Sequence, residues 1–170
     1  MKIYAFGVRD DEKQAFEQIS AQCGVAVTLS DETPSLENAD LVKGYEGVTA
    51  LGMGNIDRDL LSRYSENGVR FLSTRTIGYN HIDLVAAKEL GIKVCNAAYP
   101  PNGVADFTVM MILMCLRQYK QALWRGQVND FSLQGLQGRD MNELTIGVMG
   151  TGRIGLQVLK NLSGFGCRLL

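Results

Sequence analysis

Apolar residues in the first hundred positions come in short runs separated by amphipathic stretches. Lys2 to Phe6, Val25 to Leu29, Gly47 to Leu51, Val69 to Ser73 and Ile92 to Asn96 each read as a strand, rich in β-branched or aromatic residues. Between the first two runs, Asp10 to Ala21 repeats with a helical period. Its Phe16 and Ile19 lie on an apolar side, and acids fill its first turn. Ser30-Asp31-Glu32-Thr33-Pro34 is a loop, followed by a short helix from Ser35 to Lys43 with Ser35 as its cap. Asp57 to Glu66 is a helix stopped by Asn67-Gly68, and His81 to Leu90 one stopped by Gly91. Strands alternating with helices predict an α/β fold, with a flavodoxin-like doubly wound parallel sheet, in a first domain over 1–100. No helix follows the fifth strand. Tyr99-Pro100-Pro101-Asn102-Gly103 breaks the rhythm and reads as a hinge.

From Val104 to Arg125 the pattern is one long helix. Its first half, Val104 to Leu116, is apolar on nearly every side, which predicts burial all round, with the methionines packing a core or a subunit interface. Phe131 to Asn142 is a polar connector. Leu144 to Met149 then reads as a buried parallel strand that ends in Gly150-Thr151-Gly152-Arg153-Ile154-Gly155. A helix follows with Ile154, Val158, Leu159 and Leu162 on one face, and Cys167 to Leu170 starts another strand. Strand, G-x-G-x-x-G and helix in this order open a Rossmann dinucleotide-binding domain, so 101–170 holds the hinge, the long helix and the first half-unit of such a domain. Gly150 allows the tight turn, Gly152 lets a pyrophosphate approach the backbone, and Gly155 lets helix and strand pack closely. The helix start adds free N–H groups and a positive dipole end. The alternative is a purely structural glycine turn. The acid that would hold the adenosine ribose is expected about 20 residues on. It falls past Leu170, so NAD and NADP are not told apart.

Composition narrows the partners. The chain has 170 residues, 46% of them apolar, and a net charge of −1, which points away from nucleic acid and membrane surfaces. Met1 to Phe6 is too short for a secretory leader and Val109 to Leu116 too short to span a bilayer, so a cytoplasmic protein is expected. Cys23, Cys95, Cys115 and Cys167 form no C-x-x-C and are expected as reduced, mostly buried thiols, with no metal site. His81, the single histidine, has no partner for a catalytic dyad and reads as structural or solvent-facing.

Three stretches together resemble the NAD-dependent D-2-hydroxyacid dehydrogenases: Ser73-Thr74-Arg75-Thr76-Ile77-Gly78-Tyr79-Asn80-His81-Ile82-Asp83, Asn96-Ala97-Ala98-Tyr99-Pro100-Pro101, and Gly150 to Gly155. The D-lactate dehydrogenase branch, including the vancomycin-resistance type, looks nearest. The resemblance implies NAD as cofactor and a 2-keto acid such as pyruvate, reduced to the D-2-hydroxy acid, as the small-molecule partner. It implies that backbone N–H groups of Ile77 and Gly78 meet the substrate carboxylate. On the residues alone that run is an ordinary strand-to-helix loop with Gly78 at positive φ. Tyr99 is implied to face substrate or nicotinamide, its alternative being to pack the proline turn. Arg153 and Ile154, with Gly150, Thr151, Gly152 and Gly155, are implied at the cofactor phosphates, though the Arg153 side chain is otherwise simply solvated. Val104 is implied near the nicotinamide, with core packing as its alternative.

The family's catalytic arginine, glutamate and histidine, and a C-terminal return that completes the first domain, all come later than the motifs present. No catalytic residue is therefore assigned in this chain; Arg9 and Arg75 are candidates for the neighbourhood of the cleft, but sequence does not assign them the arginine's role. We expect the 170 residues to be inactive alone, and to form a homodimer through the helix 104–125. A non-catalytic NAD-binding regulator or interaction protein of the same fold is the alternative. With a phosphate turn but no ribose acid, the chain should bind NAD weakly or not at all. Calorimetry that finds micromolar affinity would show those other parts to be dispensable.

Overall fold

A computed structural model describes residues 1–170, which divide into two compact units, Met1–Tyr99 and Pro100–Leu170. In the first, β1 (Lys2–Ala5), β2 (Ala26–Leu29), β3 (Gly47–Ala50), β4 (Phe71–Thr74) and β5 (Lys93–Asn96) form one sheet in the order β2-β1-β3-β4-β5. Every pairing is parallel. β3 is central and buried along its whole length, the environment that a continuous run of small and β-branched residues suits. The chain winds outward from β1 to β2, then returns past β1 to β3. The direction of winding therefore reverses between β1 and β3, the place where open α/β sheets bind ligands beyond the strand ends.

One face carries the core. Tyr4, Phe6, Val48 and Leu72 pack there with Leu60, Leu61 and Tyr64 of α2 (Arg58–Glu66) and with Ala86 and Ala87 of α3 (Leu84–Glu89). The Phe6 and Tyr64 rings stack with centroids 6.5 Å apart. Aspartates set both helix starts: Asp57 accepts from the Leu60 amide at 3.1 Å and Asp83 from the Ala86 amide at 2.9 Å. The other face is mostly open. Only α1 (Asp10–Cys23) borders it, leaving a groove of about 910 Å³ that includes Phe16, Ile19, Phe71 and Val94.

The second unit is smaller. β6 (Thr145–Ile146) pairs in parallel with β7 (Arg168–Leu169), and α6 (Arg153–Leu162) connects them. α4 (Asn102–Leu116) packs on α6 through Ala105, Val109, Val158 and Leu162, closed below by Met141. Asn161 on α6 donates to Asp106 on α4 at 2.7 Å, fixing their register.

Several expectations change. The predicted helix over Ser35–Lys43 is only a 3-10 turn, Ala39–Val42, and Ser35 caps nothing; its amide instead donates to the Asn38 side chain. The long helix breaks. Gln118 adopts φ 50°, which ends α4 and lets α5 (Tyr119–Gln127) start on a new axis. α4 begins at Asn102, so two residues of the expected hinge form its first turn. It is not buried all round: only Ala105 and Val109 are, and Phe107 is 59% exposed. Ile154 is exposed rather than on the packed face of α6, and Ile19 on α1 is 57% exposed. The thiols of Cys23, Cys95 and Cys115 are exposed, not buried, because the sheet face and helix sides that they occupy lack a covering layer. No helix is long and apolar enough to cross a membrane.

Tyr64 is fully buried, yet its hydroxyl has no hydrogen-bond partner, and burial pushes its ionisation well above the ordinary tyrosine value. Leaving such a group unpaired costs about 1–3 kcal/mol. Tyr64→Phe should therefore hold or raise the urea midpoint. A clear drop would mean that the hydroxyl has a partner after all.

Candidate active-site elements

The C-terminal ends of the first unit's strands bring four loops to one edge. Arg75, directly after β4, ties two of them together. Its guanidinium donates to the carbonyls of Phe6 at 2.9 Å and Gly7 at 2.8 Å, at the end of β1, and pairs with Glu12 at 3.1 Å. Glu12 in turn accepts from the Arg9 amide at 3.0 Å, which satisfies the N-cap amide of α1. Burial raises the Glu12 carboxyl, but the Arg9 amide and Arg75 more than offset it, so it titrates below its ordinary value.

After Arg75 comes the turn expected to hold a carboxylate. Its carbonyls are consumed inside the protein: Thr76 O accepts from the Ala97 amide at 3.0 Å, Ile77 O from the Asn96 side chain at 2.8 Å, and Gly78 O from the Thr76 hydroxyl at 2.7 Å. The Ile77 and Gly78 amides meet no acceptor in the chain. Gly78 does not have the positive φ of an ordinary turn glycine, and a Cβ there would meet nothing within 4 Å. Neither backbone nor packing in this chain requires glycine at 78. The loop after β3 comes close: Gly52 at φ 87° would place a Cβ 3.0 Å from the Thr76 methyl. His81 lies 3.4 Å from the Thr74 hydroxyl, part-buried beside this turn. Tyr99, 46% exposed, ends the unit.

In the second unit the glycines of the turn divide their roles. Gly150 has φ 97°, a conformation side chains resist. A Cβ on Gly155 would fall on the Gly150 carbonyl oxygen, so Gly155 is fixed by packing. Gly152 has φ −74° and open space around it, so nothing internal demands it. It sits at the N-cap of α6, whose first bonded amide is Leu156, to Gly152 O at 2.9 Å. The amides of Arg153, Ile154 and Gly155 are left free, three converging donors at the positive end of a helix. Thr151, Arg153 and Ile154 are exposed around them, and Val104, in the first turn of α4, is 42% exposed. No cluster of residues suited to a metal is present.

Residues 3–166 match the family described as D-isomer specific 2-hydroxyacid dehydrogenase, catalytic domain. This chain belongs to that family. An aromatic 2-oxoacid reductase of Clostridium sporogenes is 44% identical over 99% of this chain and 51% of its own length. The apo-structure of D-lactate dehydrogenase from Escherichia coli superposes with a TM-score of 0.86 at 34% identity, over 99% of this chain and 54% of that one. D-lactate dehydrogenase with NAD+ from Lactobacillus jensenii superposes with a TM-score of 0.74 at 27% identity, over 99% of this chain and 52% of that one. The chain thus spans about half the length of the relatives it matches.

Of the residues singled out in the sequence of this dehydrogenase-family chain, Ile77 and Gly78 share one turn and the glycines another. Asn96, Thr74, Thr76 and the Arg75–Glu12 pair were not singled out for the contacts they make. Two predictions follow from their geometry. Gly152→Ala should melt like the parent chain, whereas Gly155→Ala should lose several degrees because α6 must move off the turn; equal melting of both would contradict this division. Glu12, held below its unfolded pKa, contributes stability above the ordinary carboxylate range and loses it as pH falls through its folded value. Glu12→Gln should be less stable than the parent at neutral pH, with the gap closing in acid. A gap that persists below both pKa values would assign the loss to shape, not charge.

Proposed function

We propose that this chain belongs to an NAD-dependent D-2-hydroxyacid dehydrogenase and contributes the phosphate turn for the cofactor and the carboxylate turn for a 2-oxo acid. The observation that carries the cofactor reading is Gly152, a glycine with no internal cause beside the free amides of Arg153, Ile154 and Gly155. A pyrophosphate fits that cradle by charge and by the space a Cβ would fill. Bound NADH supplies a hydride, and reduction of a 2-oxo acid requires that hydride on its carbonyl carbon and a proton on its oxygen. The chain's own part is binding and orientation. Ile77 and Gly78 amides hold the carboxylate, Tyr99 lines the substrate, and Val104 borders the nicotinamide.

Pyruvate is the substrate that the D-lactate dehydrogenase likeness suggests. A second reading, an aromatic 2-oxo acid, is favoured by the 44% identity to the aromatic 2-oxoacid reductase. Comparing pyruvate with phenylpyruvate turnover in a protein of the relatives' length, carrying this sequence, separates the two. In that protein Gly78→Val should raise KM with little loss of stability, since the site is open and its backbone ordinary. Unchanged KM with either acid would remove the carboxylate role.

The apolar surface of the second unit supports self-association through 104–125. Met110, Met111, Leu123 and Trp124 are exposed along α4 and α5, and Phe131 is 79% exposed just beyond. Light scattering on the purified chain should give a dimer or larger species. A clean monomer at high concentration would end that proposal.

A further inference from the structure

We infer that Asn96 and Thr76 are positioning residues for the substrate carboxylate, acting on it only through the backbone of the Ile77–Gly78 turn; this rests on the reading of that turn as the carboxylate site. The turn has two peptide carbonyls whose negative ends would repel an anion if they swung toward the side of the amides. Each is tied down by a different element. Asn96, the last residue of β5, donates its side-chain N–H to Ile77 O at 2.8 Å. Thr76, in the turn itself, donates its hydroxyl to Gly78 O at 2.7 Å.

The Thr76 tie has a defined polarity. A hydroxyl has one proton, and a carbonyl only accepts, so the Thr76 proton is committed to Gly78. The Thr74 hydroxyl, 2.7 Å from that of Thr76, must then be the donor of that pair. Thr74 is 1% exposed, so no solvent competes for its proton. Its oxygen lies 3.4 Å from Nε2 of His81, beyond the usual hydrogen-bond range. The donors run Thr74 to Thr76 to Gly78 O. Ile77 O shares a rigid peptide plane with the Gly78 amide, so the Asn96 tie turns that amide away from Asn96. The Ile77 amide is set in the same way by Thr76 O, which accepts from the Ala97 amide at 3.0 Å. The Thr76 tie keeps Gly78 O off the side of the two amides, which have no acceptor in the chain. Their order is preset, so a carboxylate does not have to reorganise the turn on arrival.

The test uses the purified chain and oxamate, an unreactive 2-oxo acid analogue, read by amide NMR, with sodium chloride at matched ionic strength as control. Oxamate should move the Ile77 and Gly78 amide resonances, and chloride should not. Asn96→Ala and Thr76→Val should each weaken that binding about tenfold, the scale of one lost hydrogen bond, while Thr76→Ser restores it. Melting curves check that the variants stay folded, a readout that a role confined to stability would move first. No oxamate shift in the unmodified chain removes the carboxylate reading itself. Shifts that persist at full affinity in folded Asn96→Ala and Thr76→Val remove the inference alone.

Discussion

A parallel sheet sends every strand out at the same edge, and the arrangement of this molecule's candidate chemistry depends on that. Because β1, β3, β4 and β5 all run one way, the residues that follow them meet without having been near one another in sequence. Arg75 reaches Glu12 across 63 positions, and Asn96 reaches Ile77 across 19. An antiparallel sheet would have put half of these exits at the far end. The reversal of winding between β1 and β3 adds room at that edge, since the connections there leave on opposite sides. The second unit repeats the geometry on its smallest scale, one strand, one turn and one helix before β7, and again the chemistry stands where the strand ends.

The sheet also explains what is left uncovered. A parallel sheet needs helices on both faces, and in the first unit one face has α2 and α3 while the other has only α1. The exposed Phe71 and Ile19, the exposed Cys23 and Cys95, and the groove between them all follow from that asymmetry. The exposed stripe of α4 has the same origin in the second unit, whose single packed side is used up by α6.

The strand rhythm was legible because each run is bounded by Gly, Asp or Asn with a local mechanism: Gly24 in the left-handed region closes α1, and Asp57 and Asp83 open α2 and α3. What failed were features with no local mark. Nothing in Arg117-Gln118-Tyr119 announces a positive φ at glutamine, so one long helix was the natural reading of two. Burial of α4 was overread because an all-apolar sequence states what a helix tolerates, not what a single chain supplies to cover it. Strand ends shifted by a residue or two, as β4 did from Val69–Ser73 to Phe71–Thr74, and of the strand expected over Leu144–Met149 only Thr145–Ile146 forms. At the candidate site, the sequence marked the turn but not what aims it: a threonine and an asparagine are unremarkable until the sheet edge brings them to the carbonyls of Ile77 and Gly78.

The glycines carry the last step. A glycine held by positive φ, as at 52 and 150, or by a neighbour, as at 155, is accounted for by the fold. Gly78 and Gly152 are held by neither. Openness alone marks nothing, since Gly126, Gly147 and Gly164 are uncrowded too. Gly78 and Gly152 adjoin amides without an acceptor, as Gly103 and Gly147 also do. What sets 78 and 152 apart is their place in the turns that lead from β4 toward α3 and from β6 into α6. A missing side chain next to unspent donors is a surface shaped for something with negative charge that must come closer than a Cβ would allow. Two such turns, one after β4 and one after β6, are where the proposed carboxylate and pyrophosphate would be held.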